Sequence, residues 1–253
     1  MTRMGTQVVD IDTMPRGGPD ASRLDRLLET DTPEYLDRDD VDRLKRKVVR
    51  GLERMGNLAG HHTKFARIAL DEVADIPDPK ILELGSGHGA LSRKLLQMHP
   101  TAELTVTDIE PTSVAEIAAG DLGSHPRASV RTMDATAIDA PDGHFDLAVF
   151  ALSFHHLPPR AAARVFAEGT RAAERLLIID MARPPSGVHI MRLALWLPFA
   201  PVMPLAHDGV ISSLRSYSRS ALRALAEYAD PAIGVELRGG FLRRQVVVAT
   251  RTG

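Results

Sequence analysis

The stretch from Lys80 to Leu91 constrains the fold of this chain more than any other part of the sequence. It reads KILELGSGHGAL. A short apolar run that contains one acidic residue is followed by three glycines at alternate positions, and Leu91 begins a series of leucines at helical spacing. That order predicts a strand, a tight turn and a helix. Glycine lets the turn adopt positive φ and lets a ligand approach the main chain, and the following helix offers its first N–H groups. The stretch therefore predicts a nucleotide-type site at a strand end.

Acidic residues follow the next two predicted strands. The run Leu104 to Thr107 leads into Asp108, where nucleotide-binding βαβ units carry a ribose-binding carboxylate. The run Ser129 to Met133 leads into Asp134, whose carboxylate can accept a hydrogen bond from an adenine amino group. These two acids are consistent with an adenosine-containing ligand.

The identity of that ligand depends on Glu83. The spacing Gly85-x-Gly87-x-x-Ala90 also fits the dinucleotide fingerprint, so an NAD-dependent dehydrogenase is an alternative. In a dehydrogenase, however, an acid just before the first glycine would lie near the pyrophosphate and repel it. Negative charge at this position favours a cationic ligand instead.

Taken together, the ordered motifs carry a family resemblance over about residues 80 to 180. Glu83-x-Gly85-x-Gly87-x-Gly89, Asp108, Asp134-Ala135 and the apolar run from Phe145 to Phe150 resemble the motifs of class I S-adenosylmethionine-dependent methyltransferases. The sequence FHHLP over 154–158 is similar to the ubiquinone/menaquinone-methylase-like branch. The resemblance implies an α/β fold: a Rossmann-like, doubly wound, seven-stranded sheet, mostly parallel with one antiparallel edge strand.

The resemblance also implies S-adenosylmethionine as cofactor and S-adenosylhomocysteine as product. Asp108 would bind both ribose hydroxyls, Asp134 the adenine amino group, and the backbone at Ala151 the methionine portion, while Glu83 would act through its charge or by fixing the turn. The cofactor contacts expected in full are Glu83, Gly85, Ser86, Gly87, Gly89, Asp108, Ile109, Asp134, Ala135 and Ala151.

His155 and His156 follow the fourth predicted strand at its carboxyl end and are the candidate catalytic residues. If the acceptor is a hydroxyl, its proton must be removed, and an imidazole is suited to that role. The alternative is that one histidine is buried and packs the loop. We expect a small, apolar or partly aromatic acceptor, methylated at oxygen in preference to carbon or nitrogen. A binding protein without turnover is a further alternative.

Composition limits the other functions. The net charge is −2, from 31 basic and 33 acidic residues, so nucleic acid is not an expected partner. The chain has no cysteine, which excludes thiolate metal sites and disulfides, and the pair His61-His62 has no carboxylate at ligand spacing, so no metal site is predicted. Without a signal-like or transmembrane apolar run, we expect a cytoplasmic protein.

The predicted organisation has three parts: a disordered tail over 1–20, an N-terminal helical cap over 21–76, and a methyltransferase domain over 77–253. Within the last, the apolar, proline-containing insertion 181–217 is interpreted as a lid over the acceptor. The expected acceptor contacts are Trp196, Phe199, Met203, His207 and Tyr217. A dimer contact or core filler is the alternative for this insertion, and a homodimer is compatible with it.

Overall fold

The computed structural model describes residues 10–35, 40, 44, 48, 51, 60–200, 203–240 and 244–252. The strands within them are β1 Lys80–Leu84, β2 Glu103–Asp108, β3 Ala128–Thr132, β4 Phe145–Ala151, β5 Ala173–Asp180, β6 Ile233–Arg238 and β7 Gln245–Arg251. The α-helices are α1 Arg23–Leu27, α2 His61–Asp71, α3 Ala90–Met98, α4 Pro111–Ala119, α5 Pro159–Ala172, α6 Ser186–Trp196, α7 Pro204–Arg215 and α8 Arg219–Ala229. Short 3₁₀ helices occur at Ile11–Thr13, Phe154–His156 and Leu197–Phe199.

All seven strands form one sheet in the order β3-β2-β1-β4-β5-β7-β6, which confirms the predicted fold class. Strands β1 to β5 pair in parallel, while β7 pairs antiparallel with both β5 and β6. The antiparallel strand, β7, thus lies between β5 and the outermost strand, β6. The strand order reverses between β1 and β4, and doubly wound sheets bind ligands in the crevice at the carboxyl ends of such a pair.

The sheet is covered on both faces, which is why its central strands are almost continuously apolar. Leu147 and Val149 of β4 belong to the cluster formed with α2 and α3, whereas Ala148 and Phe150 belong to the cluster formed with α5 and α8. Alternate residues of one strand therefore enter opposite core layers. These two layers fix the carboxyl ends of the strands, where the predicted site residues lie.

The prediction of a disordered tail over 1–20 is wrong for residues 10–20. Ile11 and Met14 are buried in the core on the α5 side. The buried Arg16 guanidinium donates hydrogen bonds to the carbonyl oxygens of His155, at 2.8 Å, and Arg215, at 2.9 Å. The Pro/Gly-rich sequence suggested nothing to bury, but Arg16 satisfies carbonyl oxygens of the 3₁₀ helix Phe154–His156 and of the last residue of α7. Residues 1–9 lie outside the described residues.

Only parts of the predicted helical cap are described. A capping box between Ser22 and Asp25 begins α1, and α2 begins at His61. Most of the cap between residues 36 and 59 lies outside the described ranges.

The insertion consists of two helices, α6 and α7, with the 3₁₀ helix between them. Ala206, Val210 and Ile211 of α7 are buried, while most of α6 and the 3₁₀ helix is exposed despite its apolar sequence. Across the described residues, no helix combines the length and apolar character needed to span a bilayer.

Candidate active site

The glycine turn after β1 leaves its backbone open at one position and packed at another. Gly85, Gly87 and Gly89 have φ of 61°, 57° and 70°, a region that L side chains rarely adopt. A Cβ added at Gly85 would lie 2.7 Å from Phe150 Cε2 and 3.3 Å from Ser153 Cβ, so the turn packs directly against the end of β4. A Cβ at Gly87 would meet nothing within 4 Å. The turn therefore presents bare backbone at Gly87.

Asp108 at the end of β2 is tied to this turn. Its Oδ2 accepts a hydrogen bond from the Gly87 N–H at 2.8 Å, and its Oδ1 accepts one from the Glu110 N–H at 3.0 Å. A carboxylate has about four acceptor positions, so two are available to a ligand. Asp108 therefore both shapes the turn and retains the capacity to bind two hydroxyls.

The residues after β3 lie beside this carboxylate, because the Met133 N–H donates to the Asp108 carbonyl oxygen at 2.9 Å. Asp134 is exposed, and its Oδ1 accepts hydrogen bonds from the N–H and hydroxyl of Thr136, both at 2.8 Å. Ala135 is half-buried, and the Ile109 side chain is 65% exposed. The exposed Ile109 side chain could cover a nucleotide base, and the two neighbouring carboxylates, Asp108 and Asp134, could bind its ribose and its amino group.

Glu83 differs from the simplest sequence interpretation, in which its charge faces the ligand. Its side chain is buried and accepts a hydrogen bond from the Ser92 hydroxyl of α3. Burial raises the pKa of Glu83 to about 7, although the bond from Ser92 opposes the shift. The side chain links β1 to α3, so it fixes the helix that follows the glycine turn.

The end of β4 turns sharply before the two histidines. Ala151 is half-buried and pairs with Ile179 in the sheet, and Leu152 takes φ of 60°, an uncommon value for a non-glycine residue. The Leu152 N–H still donates to the Ile179 carbonyl oxygen at 2.8 Å. This bend directs the 3₁₀ helix Phe154–His156 across the carboxyl end of the sheet.

His155 is buried between two carboxylates. Its Nδ1 lies 2.8 Å from Asp180 Oδ1, and its Nε2 lies 3.5 Å from Glu34 Oε1. Burial alone would lower the pKa of His155, but the charges and hydrogen bonding of Asp180 and Glu34 outweigh it and raise the pKa to about 9. The Asp180 carboxylate also accepts a hydrogen bond from the His155 N–H at 2.8 Å. His155 is therefore held rigidly by the end of β5.

His156 is less enclosed, with 23% of its side chain exposed, and its Nε2 lies 3.9 Å from Glu34 Oε2. The two imidazole centroids are 4.4 Å apart. The backbone of this turn is held by arginines: the Arg215 guanidinium donates to the His156 carbonyl oxygen at 2.6 Å, as Arg16 does to that of His155. Both predicted catalytic residues thus lie at the carboxyl end of the sheet. His155 is buried there, whereas His156 is partly exposed.

Sequence reasoning missed Glu34. It is 2% exposed and accepts a hydrogen bond from the Ser212 hydroxyl of α7 at 2.7 Å. Burial opposes ionisation of Glu34, but the two histidines and Ser212 lower its pKa overall. In the sequence, Thr32-Pro33-Glu34 resembles an ordinary helix start. No local pattern indicates that Glu34 contacts His155 and His156, which lie far along the chain. Asp180, by contrast, is a further acid at a strand end and could have been singled out.

The predicted acceptor contacts fall into two groups. Trp196, Phe199 and Met203 are exposed, with 51%, 48% and 46% of their surfaces accessible. His207 stacks on the Tyr35 ring at 4.3 Å and its Nδ1 lies 2.9 Å from Asp208 Oδ1.

Tyr217 is buried, with the Arg16 guanidinium 4.6 Å from its ring centroid, and its hydroxyl donates to the Leu157 carbonyl oxygen at 2.7 Å. Tyr217 therefore supports the histidine turn from behind.

Comparison with known proteins agrees with this geometry. Residues 81–175 match a family described as a methyltransferase domain. The chain is 30% identical over 135 residues to a demethylmenaquinone methyltransferase of Thermus thermophilus, which covers 51% of this chain and 59% of that protein. It is 25% identical over 162 residues to a ubiquinone/menaquinone biosynthesis C-methyltransferase of Shewanella woodyi, covering 62% and 64%. The matched segment, these relatives and the fold support a class I S-adenosylmethionine-dependent methyltransferase domain in this chain. The resemblance drawn from the motifs is confirmed.

The chain spans less than two thirds of the length of those two relatives. Among solved structures, a plantazolicin methyltransferase in complex with S-adenosylhomocysteine aligns with a TM-score of 0.62 at 12% identity, covering 83% of this chain and 91% of that one. The magnesium protoporphyrin IX methyltransferase of Synechocystis PCC 6803 aligns with a TM-score of 0.55 at 17% identity, covering 77% and 84%. At these identities the alignments establish the fold.

The residues around the glycine turn fit S-adenosylmethionine as the cofactor. Gly87 offers uncovered backbone and Asp108 has acceptor capacity to spare. The hydroxyl oxygen of Ser86 is buried and, within the part of the chain that the structure describes, has no hydrogen-bond partner. A buried polar atom without a partner is costly, and a ligand with polar groups at the turn would satisfy it.

Proposed function

We propose that this protein transfers the methyl group of S-adenosylmethionine to a small, apolar acceptor, and that oxygen is the atom methylated. The proposal rests on one observation above all: the glycine turn that fits the cofactor packs against Phe150 and Ser153, immediately before the histidine turn. A ligand on the turn and an acceptor at His156 would therefore be neighbours. Holding donor and acceptor together supplies most of the rate gain available to a displacement reaction.

The cofactor contacts follow from the strand ends. Asp108 would bind the ribose hydroxyls, Asp134 the adenine amino group, and Ile109 and Ala135 would cover the base. Gly85, Ser86, Gly87 and Gly89 would contact the cofactor through the turn, with Ala151 supplying backbone on the opposite side. Glu83 would act indirectly, by holding α3 through Ser92.

The transfer itself is an in-line displacement. The bond from the acceptor oxygen to the methyl carbon forms as the carbon–sulfur bond breaks, its electron pair stays on sulfur, and the hydroxyl proton leaves the acceptor. Of the two predicted catalytic histidines, we assign His155 to support, because Asp180 and Glu34 hold it from both sides. His156, which is partly exposed and paired with Glu34, would face the acceptor.

The apolar character of the acceptor is inferred from the insertion. Trp196, Phe199 and Met203 expose apolar surface whose removal from water would contribute about 25 cal/mol per Å². We infer that α6 and the 3₁₀ helix after it close over the acceptor as a lid and exclude water from the transfer. The names of the Thermus and Shewanella relatives point to a quinone-derived acceptor. We therefore propose an alkylated hydroquinone or related phenol as the acceptor class.

The test supplies methyl-labelled S-adenosylmethionine with three acceptors: an alkylated hydroquinone with a free ring C–H, its dimethyl ether, and the corresponding quinone. Labelled product from the hydroquinone alone, assigned by NMR as an ether, supports transfer to oxygen. Labelled product from the dimethyl ether would assign the reaction to carbon. Asp108→Ala serves as the cofactor-deficient control, and Glu227→Ala, at an exposed position of α8, is the matched control.

Absence of turnover with every acceptor, combined with intact binding of S-adenosylhomocysteine, would favour a binding protein that holds the cofactor without turnover. Absence of both binding and turnover would refute the cofactor assignment as well. Competition by NAD would instead support the dehydrogenase alternative.

A further inference from the structure

The structure brings together three side chains that no sequence pattern connects. Glu34, His155 and His156 each offer one ligand atom, and these atoms all lie within 4.8 Å of one another. Two imidazoles and one carboxylate form the donor set that proteins use for Zn²⁺ and related divalent ions when one coordination position stays open. The set joins the segment after α1 to the turn after β4.

The distances suit an ion at the centre. Metal–ligand bonds of 2.0–2.2 Å to imidazole nitrogen and carboxylate oxygen place neighbouring ligand atoms about 3.3–3.6 Å apart in a tetrahedral site. Glu34 Oε1 lies 3.5 Å from His155 Nε2, and Glu34 Oε2 lies 3.9 Å from His156 Nε2. These spacings are longer than a good N–H···O hydrogen bond, which is about 2.7–3.2 Å. Only small rotations would bring all three atoms to one ion.

An independent observation points to a ligand at this place. His155 is 4% exposed, and its Nε2 makes no hydrogen bond of normal geometry among the described residues; its neighbour there, Glu34 Oε1, is 3.5 Å away. Buried polar atoms are nearly always satisfied at close range, so an ion between this nitrogen and Glu34 would complete its bonding.

The opposite side of the His155 ring has the support that metal-binding histidines usually have. Its Nδ1 lies 2.8 Å from Asp180 Oδ1, and with a carboxylate as acceptor Nδ1 carries the proton. An ion between His155 and Glu34 would displace the proton from Nε2 and bind the lone pair that this leaves. Carboxylate–histidine–metal arrangements of this kind orient the ring and increase its basicity. Glu34 is itself oriented by the Ser212 hydroxyl at 2.7 Å.

We propose that Glu34, His155 and His156 bind a divalent transition-metal ion of the Zn²⁺ class, with Asp180 and Ser212 as positioning residues. The existence of the site does not depend on the methyl transfer proposed above, but its role does. A bound acceptor hydroxyl would occupy the open position beside the partly exposed His156, lose its proton to water and attack the methyl carbon as the carbon–sulfur bond breaks. Cations lower the pKa of coordinated oxygen acids, so the ion would replace a general base.

The experiment titrates Co²⁺ and then Zn²⁺ into the full chain after removal of bound ions with a chelator. Visible absorption reports the Co²⁺ coordination, and a chromophoric chelator reports the amount of Zn²⁺ bound. We expect one ion per chain. Glu34→Gln and His156→Gln should each weaken binding by at least 100-fold, and Asp180→Asn by about 10- to 100-fold. His144→Gln, an exposed histidine just before β4 and outside the set, is the matched control and should bind as the wild type does.

Binding of S-adenosylhomocysteine by calorimetry accompanies each titration and shows that every variant is folded. His156→Gln is the decisive variant, because its side chain is partly exposed and its loss should leave the fold intact. If the wild type binds no ion, the three side chains form only a buried ion-pair cluster and the proposal is wrong. Equal binding by wild type and His156→Gln would place the ion elsewhere, for example at His61 and His62, and would also overturn it. Neither result depends on whether methylation is detected.

Discussion

Replacing Glu83 by glutamine should change how the stability of the protein depends on pH. Glu83 is buried beneath the glycine turn, and burial is the main reason that its pKa is raised from 4.5 to about 7. Glutamine has nearly the same shape, and its side-chain oxygen can still accept the hydrogen bond from Ser92. The substitution therefore removes the titration with little change in packing.

The sign follows from proton binding. Between pH 4.5 and about 7 the folded protein keeps a proton on Glu83 that the unfolded chain has released, so the contribution to stability is fully present below pH 4.5 and is lost as the pH rises through about 7. Because one pKa unit corresponds to about 1.4 kcal/mol, the rise in the pKa of Glu83 from 4.5 to about 7 corresponds to about 3 kcal/mol in the free energy of unfolding. Glu83→Gln should thus be about 3 kcal/mol more stable, relative to wild type, at pH 8 than at pH 4.5.

Urea unfolding of the cofactor-free protein, followed by circular dichroism at several pH values from 4.5 to 8, would measure this difference. Glu227→Gln, at an exposed position of α8, controls for the loss of one negative charge. A constant difference between Glu83→Gln and wild type across the range would show that Glu83 is ionised throughout. In that case the assignment of Glu83 as a protonated link between β1 and α3 would be wrong.

Other parts of the site give three further predictions. Asp108→Ala should weaken S-adenosylhomocysteine binding by about 10- to 100-fold, since a charged acceptor is lost, and unchanged affinity in calorimetry would remove Asp108 from the site. Gly85→Ala should lower the free energy of unfolding by roughly 1–3 kcal/mol, because φ is positive and the new methyl would lie 2.7 Å from Phe150. Gly187→Ala in α6, where nothing lies within 4 Å, should instead raise it by about 0.5–1 kcal/mol in the same denaturation assay. Trp196 is 51% exposed, so an alkylated phenol added to the cofactor-loaded protein should shift its emission to shorter wavelength if the lid closes, and a constant spectrum would contradict closure.

Much of the fold was predictable because its signals are local. The order of apolar runs along the chain predicted β1 to β4, and the glycine turn marked the edge of the sheet that carries the site. Asp108 and Asp134 could be identified for the same reason, since each directly follows a strand.

The rest depends on contacts between distant segments, which no local pattern records. Glu34 meets His155 and His156 only because α7 and the segment after α1 pack over the carboxyl end of the sheet. The burial of Ile11 and Met14 likewise depends on a groove built by later residues. Sequence patterning also suggested that Glu83 faces the ligand, whereas its orientation is set by packing against Ser92.

The bonds from Arg16 have a consequence for how the chain folds during synthesis. Its guanidinium joins carbonyl oxygens 139 and 199 residues further along the chain, so the N-terminal segment cannot take its final position until α7 has been made. Strands β1 to β5 have mostly nearby partners and can assemble earlier, since closing short loops loses less chain entropy. The histidine turn is consequently fixed later than strands β1 to β4, and a nascent chain would acquire its cofactor pocket before it acquires a place for the acceptor.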